Sequence, residues 1–364
     1  MPTPAPLRKL DPPLDRPITR PITRPIIRPI TRPITRLLTR PITGLLTRLV
    51  ARLLTRPLTR LLARLPAPVE ARVRDRLGLD LFVVVAVVVV ALRLFNRGSW
   101  TPTILDMHTY WATGAGISYA HSNPYVIGAY LYAPAFAQLL YPLTTLPWPW
   151  FAALWTAAIA AVYIWLVGRW AFPILLLTGA VALELYLGQI DIFIAAAIVI
   201  GFRYPIAWAF PLLTKVAPGI GLLWFLFRRE WRNLAIAVTA TVAIAGASAW
   251  LAPNLWNEWY DLLRRSVTDK QVVDGAYLGI PVWLRLPFAV ATVFWGARTS
   301  RHWTVPVAVL LAMPILWINV FTLLLAAVPL REEFGLTPAR AWLLRERLLP
   351  NTVKSKPAVA PQAG

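Results

Sequence analysis

One stretch of the chain gathers several side chains that could act on a substrate. Residues 96–130 read NRGSWTPTILDMHTYWATGAGISYAHSNPYVIGAY and hold a single carboxylate, Asp106, with His108, His121 and several tyrosines. A carboxylate beside apolar surface can serve as a general base, because the apolar neighbours raise its pKa toward neutrality. The alternative is that Asp106 caps a helix or closes a turn, the common role of a lone loop aspartate.

Five short motifs follow one another in order across residues 80–330. They are Asp-x3-Tyr (106–110) followed by Gly114, Asn-Pro-Tyr (123–125), Tyr-Ala-Pro (132–134) with Pro-Leu (142–143), Gly-Gln-Ile-Asp (188–191), and Lys-Val-Ala-Pro-Gly (215–219) leading into Arg-Arg-Glu-Trp-Arg (228–232). In this order and at this spacing, they make the chain resemble the membrane glycosyltransferases of the GT-C superfold. The resemblance is specifically to family 87, the polyprenol-phosphate-mannose-dependent mannosyltransferases.

The resemblance implies both a fold and a reaction. The fold is all-α, a polytopic membrane helix bundle with a long first extracytoplasmic loop. Family members pass a hexose, typically mannose, from a polyprenyl-phosphate-linked donor to a hydroxyl of a lipid or glycan acceptor outside the membrane, with inversion. Asp106 is then the implied general base. One carboxylate is chemically sufficient, since the leaving group is already a phosphate and needs no separate acid.

Charges inside apolar segments form a second set of candidates. Glu184, Asp191, Arg203 and Lys215 lie in or beside such segments, where a charge is expensive and usually functional. Lys215 could face the donor phosphate as a point charge, or it could form a structural ion pair with Asp191 or Glu184. A transporter or lipid flippase that uses Glu184, Asp191 and Lys215 is the alternative function. Such proteins usually contain an internal repeat, and none is evident within residues 77–364.

The remaining substrate-binding candidates are polar or aromatic. His108 could assist Asp106 or bind the sugar, although an exposed loop histidine is the simpler interpretation. Tyr110 belongs to the first motif, Tyr132 suits packing or acceptor contact, and Gln189 suits the lining of a polar cavity. Arg264, in the loop 253–279, could contact lipid phosphates. The alternative for that loop is a surface amphipathic helix with no part in catalysis.

The composition defines the class of protein that must position these residues. The 364 residues are 58% hydrophobic and 15% charged, with a mean hydropathy of +0.59, whereas soluble domains carry about 25% charge. The chain has no Cys and three His, which leaves few ligands for a metal. It also has no glycine-rich nucleotide motif and no HExxH. We therefore expect a multi-pass cell-membrane protein that uses no cofactor or metal, and whose partners are lipids rather than nucleic acid.

Apolar segments and arginines predict the topology. The segments at 77–95, 131–146, 150–167, 171–187, 190–202, 204–227, 234–252, 280–297 and 303–330 indicate nine or ten spans. The positive-inside rule then places the N-terminus, residues 228–233 and residues 298–302 in the cytoplasm. In this scheme Arg169 and Arg203 fall outside, against the rule. Pro211 and Pro218 are expected to bend the helix that carries Lys215.

The chain divides into three predicted regions. Most of the net charge of +21 lies in residues 1–76, where Arg recurs every fourth residue from Arg16 to Arg40 and again from Arg48 to Arg64. The Pro-rich part of this repeat predicts an extended or disordered segment, and residues 45–66 predict a basic amphipathic helix that could rest on an anionic cytoplasmic leaflet. A low-complexity extension without a specific role is the alternative. Residues 77–330 form the predicted transmembrane glycosyltransferase domain, and residues 331–364 a charged C-terminal tail.

Overall fold

The fold is helical, as expected from the sequence. A computed structural model of the chain describes residues 67–95, 106–117, 119, 130–268, 277–335 and 337–348. Its contacts divide the chain into residues 1–70 and 71–364, and nearly all described residues belong to the second unit. The all-α prediction is confirmed for this unit. The repeat within residues 1–66, His121 and the motif at 123–125 lie outside the described residues.

The α-helices fall into an N-terminal and a C-terminal set. The first set is α1 (Ala67–Phe95), α2 (Asp106–Ala112), α3 (Pro134–Thr144), α4 (Trp148–Val167), α5 (Ala171–Thr178), α6 (Ala180–Leu187), α7 (Asp191–Gly201) and α8 (Ala209–Thr214). The second set is α9 (Leu223–Phe227), α10 (Trp231–Leu251), α11 (Pro253–Thr268), α12 (Val282–Thr299), α13 (Thr304–Ala312), α14 (Ala327–Leu330) and α15 (Pro338–Leu348). Helix α1 thus begins inside the predicted N-terminal tail.

Shorter elements connect these helices. The 3-10 turns are Thr113–Ala115, Gly168–Trp170, Pro205–Trp208, Ala217–Leu222, Asn319–Ala326 and Glu332–Phe334. Two strands of two residues, β1 (Tyr277–Leu278) and β2 (Leu316–Trp317), pair antiparallel with Tyr277 opposite Trp317. This small ladder ties the segment before α12 to the segment before Asn319.

Three stretches of the described helices are long and apolar enough to cross a membrane. They are Arg76–Leu94, Trp148–Thr178 and Trp231–Leu251, and the pair α6 and α7 makes a fourth if its 109° bend lies within one span. The nine or ten predicted spans therefore do not all correspond to long continuous helices. Several apolar segments fold instead as short helices, among them Pro205–Thr214, Ala217–Phe227 and Asn319–Leu330.

Glycine and proline explain where the helices break. Gly179 and Gly188 adopt positive φ values of 60° and 73°, a conformation that ends a helix and that glycine reaches at low cost. Pro205 and Pro218 stand in the first turns of 3-10 segments, where the missing amide donor is tolerated. The expected break around Lys215 is present, because Lys215 has an extended backbone after α8.

Many large apolar side chains point away from the interior. Leu177 and Trp250 are each 84% exposed, and Val87 and Phe288 are also exposed. Apolar surface of this extent is unusual for a soluble monomer and is expected for helices that face lipid. The exposed residues agree with the membrane class that composition predicts.

The contacts correct one part of the predicted topology. Phe202 packs its ring against both Trp224 and His302, at 5.5 and 4.8 Å between centroids. Its neighbour Arg203 donates to the carbonyl of Trp342, and Arg228 donates to the carbonyl of Ala297. Arg203 therefore lies at the same end of the bundle as residues 228–233 and 298–302, and its predicted placement on the opposite side is wrong.

Arg169 shares this location. A Cβ added to Gly335 would lie 3.1 Å from Nη2 of Arg169, and one added to Gly168 would meet Pro338. We call this the arginine end, defined by Arg169, Arg203, Arg228, Arg301 and Arg340. Among the predicted spans, residues 131–146 form the short helix α3, and residues 204–227 fold as two short helices on either side of Lys215.

Candidate active site

Helix α2 begins at Asp106 and is fixed against the rest of the protein. A Cβ added to Gly114 would lie 2.6 Å from Oγ1 of Thr144, so the segment after α2 packs closely on α3. Trp111 donates from its indole nitrogen to the carbonyl of Leu146 at 2.8 Å. Asp106 stands in the first turn of its helix, where a carboxylate is electrostatically favourable. This position agrees with a capping acid, but the side chain of Asp106 also interacts with residues outside its own helix.

The turn between α6 and α7 lies directly against α2. Gly188 has a φ of 73°, and a Cβ there would collide with the Met107 side chain. Glycine is needed for the backbone conformation and also for this close approach. Trp155 donates from its indole nitrogen to the Gly188 carbonyl at 2.7 Å. The Gly-Gln-Ile-Asp motif is therefore a fixed turn that packs on the helix of Asp106.

A chain of hydrogen bonds connects three of the motifs to Asp106. The hydroxyl oxygens of Tyr110 and Tyr132 are 2.9 Å apart, and Tyr132 donates to Oε1 of Gln189 at 3.4 Å. The Gln189 side chain is in turn hydrogen-bonded to the Asp106 carboxyl. Because its carbonyl oxygen accepts from Tyr132, its amide nitrogen is the group that donates to Asp106.

Lys215 and Asp191 form an ion pair beside this chain. Nζ of Lys215 lies 2.5 Å from Oδ1 of Asp191, whose side chain is fully buried, while 19% of the Lys215 side chain is exposed. Oδ2 of Asp191 accepts from Nδ2 of Asn319 at 3.2 Å. Asp191 is thus neutralised and satisfied on both oxygens. An ammonium carries three donors, so Lys215 keeps further donors on its exposed side.

The surroundings of Asp106 make its carboxyl more basic than usual. Burial raises the pKa of Asp106 to about 6, although the charge of Lys215 and the hydrogen bond from Gln189 oppose this rise. Such a carboxyl is mostly ionised at pH 7 and yet accepts a proton more readily than an exposed aspartate. This is the property that a general base near neutrality requires. Burial also raises the pKa values of Tyr110 and Tyr132, so both phenols remain protonated donors.

The structure brings six of the predicted site residues together and places the other two apart. The six are Asp106, Tyr110, Tyr132, Gln189, Asp191 and Lys215. His108 is two residues after Asp106 on α2, and residues two apart face different sides of a helix. Its ring lies 5.5 Å from that of Trp111 and 5.0 Å from that of Trp148, and partial burial lowers the pKa of His108. Arg264 lies on the exposed side of α11, with its guanidinium 5.8 Å from the Tyr260 ring centroid.

Asn319 is the residue at this site that sequence reasoning missed. It is 4% exposed and stands in the first turn of an apolar 3-10 segment. Arg285 holds the chain just before that segment, because its guanidinium donates to the carbonyls of Leu311 and Pro314. An uncharged amide in a long apolar stretch carries little signal by itself. The available signal is that Asn is rare in such an apolar stretch, because its buried amide needs a polar partner.

The described residues offer the chemistry of one base and one cation rather than of a metal centre. No three His, Asp or Glu side chains converge as metal ligands within the described ranges. Asp106 can accept a proton, Lys215 can stabilise a developing negative charge, and the tyrosines and Gln189 can donate hydrogen bonds. This arrangement suits a displacement in which a proton is removed from a nucleophile and an anion departs.

Fold and site together define a helical membrane protein with a polar site centred on Asp106, a carboxylate with a raised pKa. Comparison with protein families adds the particular family, since the model of glycosyltransferase family 87 matches residues 130–343. This match covers more than half of the chain, and the chain belongs to glycosyltransferase family 87. No curated protein and no solved structure matches it significantly.

Family membership establishes the class of activity. The protein is a membrane glycosyltransferase, and the resemblance carried by the sequence motifs is confirmed. The matched range contains Tyr132, Gln189, Asp191 and Lys215 but begins after Asp106. The alternative of a transporter is not supported. The charges that it would need serve other contacts here, since Lys215 pairs with Asp191 and Glu184 accepts the backbone amide of Ile192.

Proposed function

We propose that the protein transfers a hexose, in the first place mannose, from a polyprenyl-phosphate donor to a hydroxyl of a lipid or glycan acceptor. The observation that carries this proposal is the hydrogen bond of Asp106 with Gln189, together with its closeness to the Lys215–Asp191 pair. A lipid-linked donor also suits a chain that lacks nucleotide-binding motifs and lies largely in lipid. The arginine end faces the cytoplasm under the positive-inside rule, so the site opens toward the extracytoplasmic side and the N-terminus is cytoplasmic.

The reaction is a single displacement at the anomeric carbon. The Asp106 carboxylate takes the proton of the acceptor hydroxyl as its oxygen forms a bond to that carbon. The bond from the anomeric carbon to the phosphate oxygen breaks, and its electron pair leaves with the polyprenyl phosphate. Attack and departure on opposite faces give inversion, and a single carboxylate is enough because the phosphate leaves without protonation.

Lys215 has the complementary role at the leaving group. Its ammonium stabilises the negative charge that grows on the bridging phosphate oxygen, while Asp191 holds it in place. Tyr110, Tyr132 and Gln189 orient Asp106 and offer donors to sugar hydroxyls. The proposal includes no metal and no cofactor, because the base and the cation supply both charge functions within the chain.

The donor class can be tested with purified protein in nanodiscs. Radiolabelled polyprenyl-phosphate mannose, polyprenyl-phosphate glucose and GDP-mannose are each supplied with a lipid extract as the acceptor source, and labelled products are identified by mass spectrometry. We expect transfer from a polyprenyl-phosphate sugar, with mannose preferred, and no transfer from GDP-mannose. Direct transfer from GDP-mannose by the purified protein would overturn the lipid-linked donor.

A further inference from the structure

Glu184 is a fully buried carboxyl that the proposed reaction does not use. Its backbone carbonyl accepts from the Gly188 amide at 2.8 Å, and its Oε1 accepts from the Ile192 amide at 3.0 Å. Gly188 and Ile192 flank Gln189 and Asp191. One residue of α6 therefore binds both sides of the turn that presents the site's amide and its ion pair.

The contact with Ile192 also satisfies the start of a helix. Helix α7 begins at Asp191 and has no side-chain cap from the preceding residue, so its first amides need other acceptors. Glu184 reaches across the turn to supply one of them. If this contact were lost, the N-terminus of α7 would be free to shift, and Asp191 and Lys215 would move with it.

The second oxygen of Glu184 differs from the first in its surroundings. Oε2 is buried and has no hydrogen-bond partner among the described residues. The charged groups that face Glu184 are Asp191 of α7, Lys215 after α8 and Asp106 of α2, with Tyr132 also within electrostatic range. From α1, Arg93 binds the carbonyls of Leu185 and Tyr186. Among the described residues, Oε1 of Glu184 binds a backbone amide rather than a cation, and Lys215 pairs with Asp191 instead.

An ionised carboxylate with one unsatisfied oxygen beside a second carboxylate would be costly in this interior. A neutral carboxyl removes the repulsion from Asp191 and leaves Oε1 able to accept the Ile192 amide. We infer that Glu184 is a positioning residue that acts in its uncharged form, bracing the 188–191 turn so that Gln189 and the Asp191–Lys215 pair stay aligned with Asp106. This inference rests on the proposed function, because it takes Asp106 as the group that the turn serves.

Two substitutions separate the effect of the hydrogen-bond acceptor from the effect of the charge. Glu184→Gln keeps an acceptor for the Ile192 amide and is neutral, whereas Glu184→Leu has a similar size and no acceptor. We expect Glu184→Gln to keep kcat within about twofold of wild type, and Glu184→Leu to lower kcat by about 10- to 100-fold through misalignment of the reacting groups. Loss of kcat in Glu184→Gln as large as in Glu184→Leu, or normal kcat in Glu184→Leu, would overturn the inference.

The pH dependence of kcat/KM distinguishes a charged Glu184 from an uncharged one. A purely structural role of the side chain would not change this dependence. If Glu184 is neutral, Glu184→Gln leaves the acidic limb of kcat/KM where it is in the wild-type enzyme. If Glu184 is ionised, its removal lowers the pKa of Asp106 and moves that limb to lower pH, which would contradict the inference. Asp106→Asn is measured in parallel. Normal activity in Asp106→Asn would refute the proposed base. The comparison of Glu184→Gln with Glu184→Leu would still test the role of Glu184 in that case.

Discussion

The two ends of the helical bundle use charge in different ways. At the site end, Asp106, Asp191 and Lys215 lie close together and interact through side chains. At the arginine end, guanidinium groups mainly bind backbone carbonyls and stack on aromatic rings, and the ion pairs of Arg228 with Glu230 and of Arg340 with Glu332 involve partly exposed or exposed carboxylates. Arg203 lies 4.8 Å from the Trp342 ring centroid, and Arg301 lies 4.8 Å from that of Trp295.

Under the proposed function, this difference separates catalysis from orientation. A site that must move a proton and stabilise an anion needs both signs of charge, balanced within a few side chains. An end that must remain on one side of a membrane needs net positive charge and aromatic anchors. Substitutions at the two ends should therefore change different measurable quantities.

The largest effect is expected from Asp106→Asn. The amide cannot take the acceptor proton, so transfer should fall by about 100- to 10,000-fold while the thermal midpoint changes little. Radiolabel transfer by purified protein measures the rate. Asp261→Asn, which changes an exposed acid of α11, is the matched control and should keep normal activity. Transfer by Asp106→Asn at the control's rate would remove Asp106 from the mechanism.

Lys215→Met should lower transfer by about 100-fold, since it removes the charge that faces the leaving phosphate. It also leaves Asp191 buried without its counter-ion, which is itself damaging. The double variant Lys215→Met/Asp191→Asn removes both charges and serves as the control. We expect it to regain thermal stability but not activity. Recovery of activity in the double variant would show that Lys215 only neutralises Asp191.

Asn319→Ala should have a smaller effect, on the order of tenfold, because it leaves one oxygen of Asp191 unsatisfied and lets the ion pair shift. The measurement is kcat with saturating donor. Thr322→Ala, whose hydroxyl donates to the Asn319 carbonyl, changes the same segment without touching Asp191 and serves as the control. A larger loss in Thr322→Ala than in Asn319→Ala would mean that the segment, rather than the amide, matters.

Arg203→Gln, at the arginine end, should change activity least. It weakens the contact with Trp342 and should lower the thermal midpoint by about 2–4 °C, with transfer at 25 °C within about twofold of wild type. Arg203→Lys keeps the charge but loses the planar stacking, and we expect an intermediate midpoint. A strong loss of transfer in Arg203→Gln at unchanged thermal stability would show that the arginine end affects the site. That result would contradict the separate roles of the two ends.

The sequence predicted which polar residues lie together better than it predicted the path of the chain. Asp106, Gln189, Asp191 and Lys215 could be identified because charged and amide side chains in apolar surroundings are costly and therefore conspicuous. The prolines beside Lys215 also indicated the break that exposes it.

The path was harder to predict because an apolar segment has the same composition whether it crosses a membrane or turns back. Residues 131–146 and 204–227 illustrate this, and Arg169 and Arg203 were assigned to the wrong end as a result. Asn319 lacks a charge, and its partner is 128 residues away in sequence. Only the fold reveals that contact.

The pH dependence of kcat/KM tests the central claim most directly, namely that Asp106 acts as a base in its ionised form. The pKa of Asp106 is raised from its ordinary value to about 6, so the active, deprotonated form is lost as the pH falls through that value. We predict a plateau above about pH 7 and a tenfold loss per pH unit well below pH 6. A flat profile between about pH 5 and pH 8, measured on protein that stays folded throughout, would contradict this account.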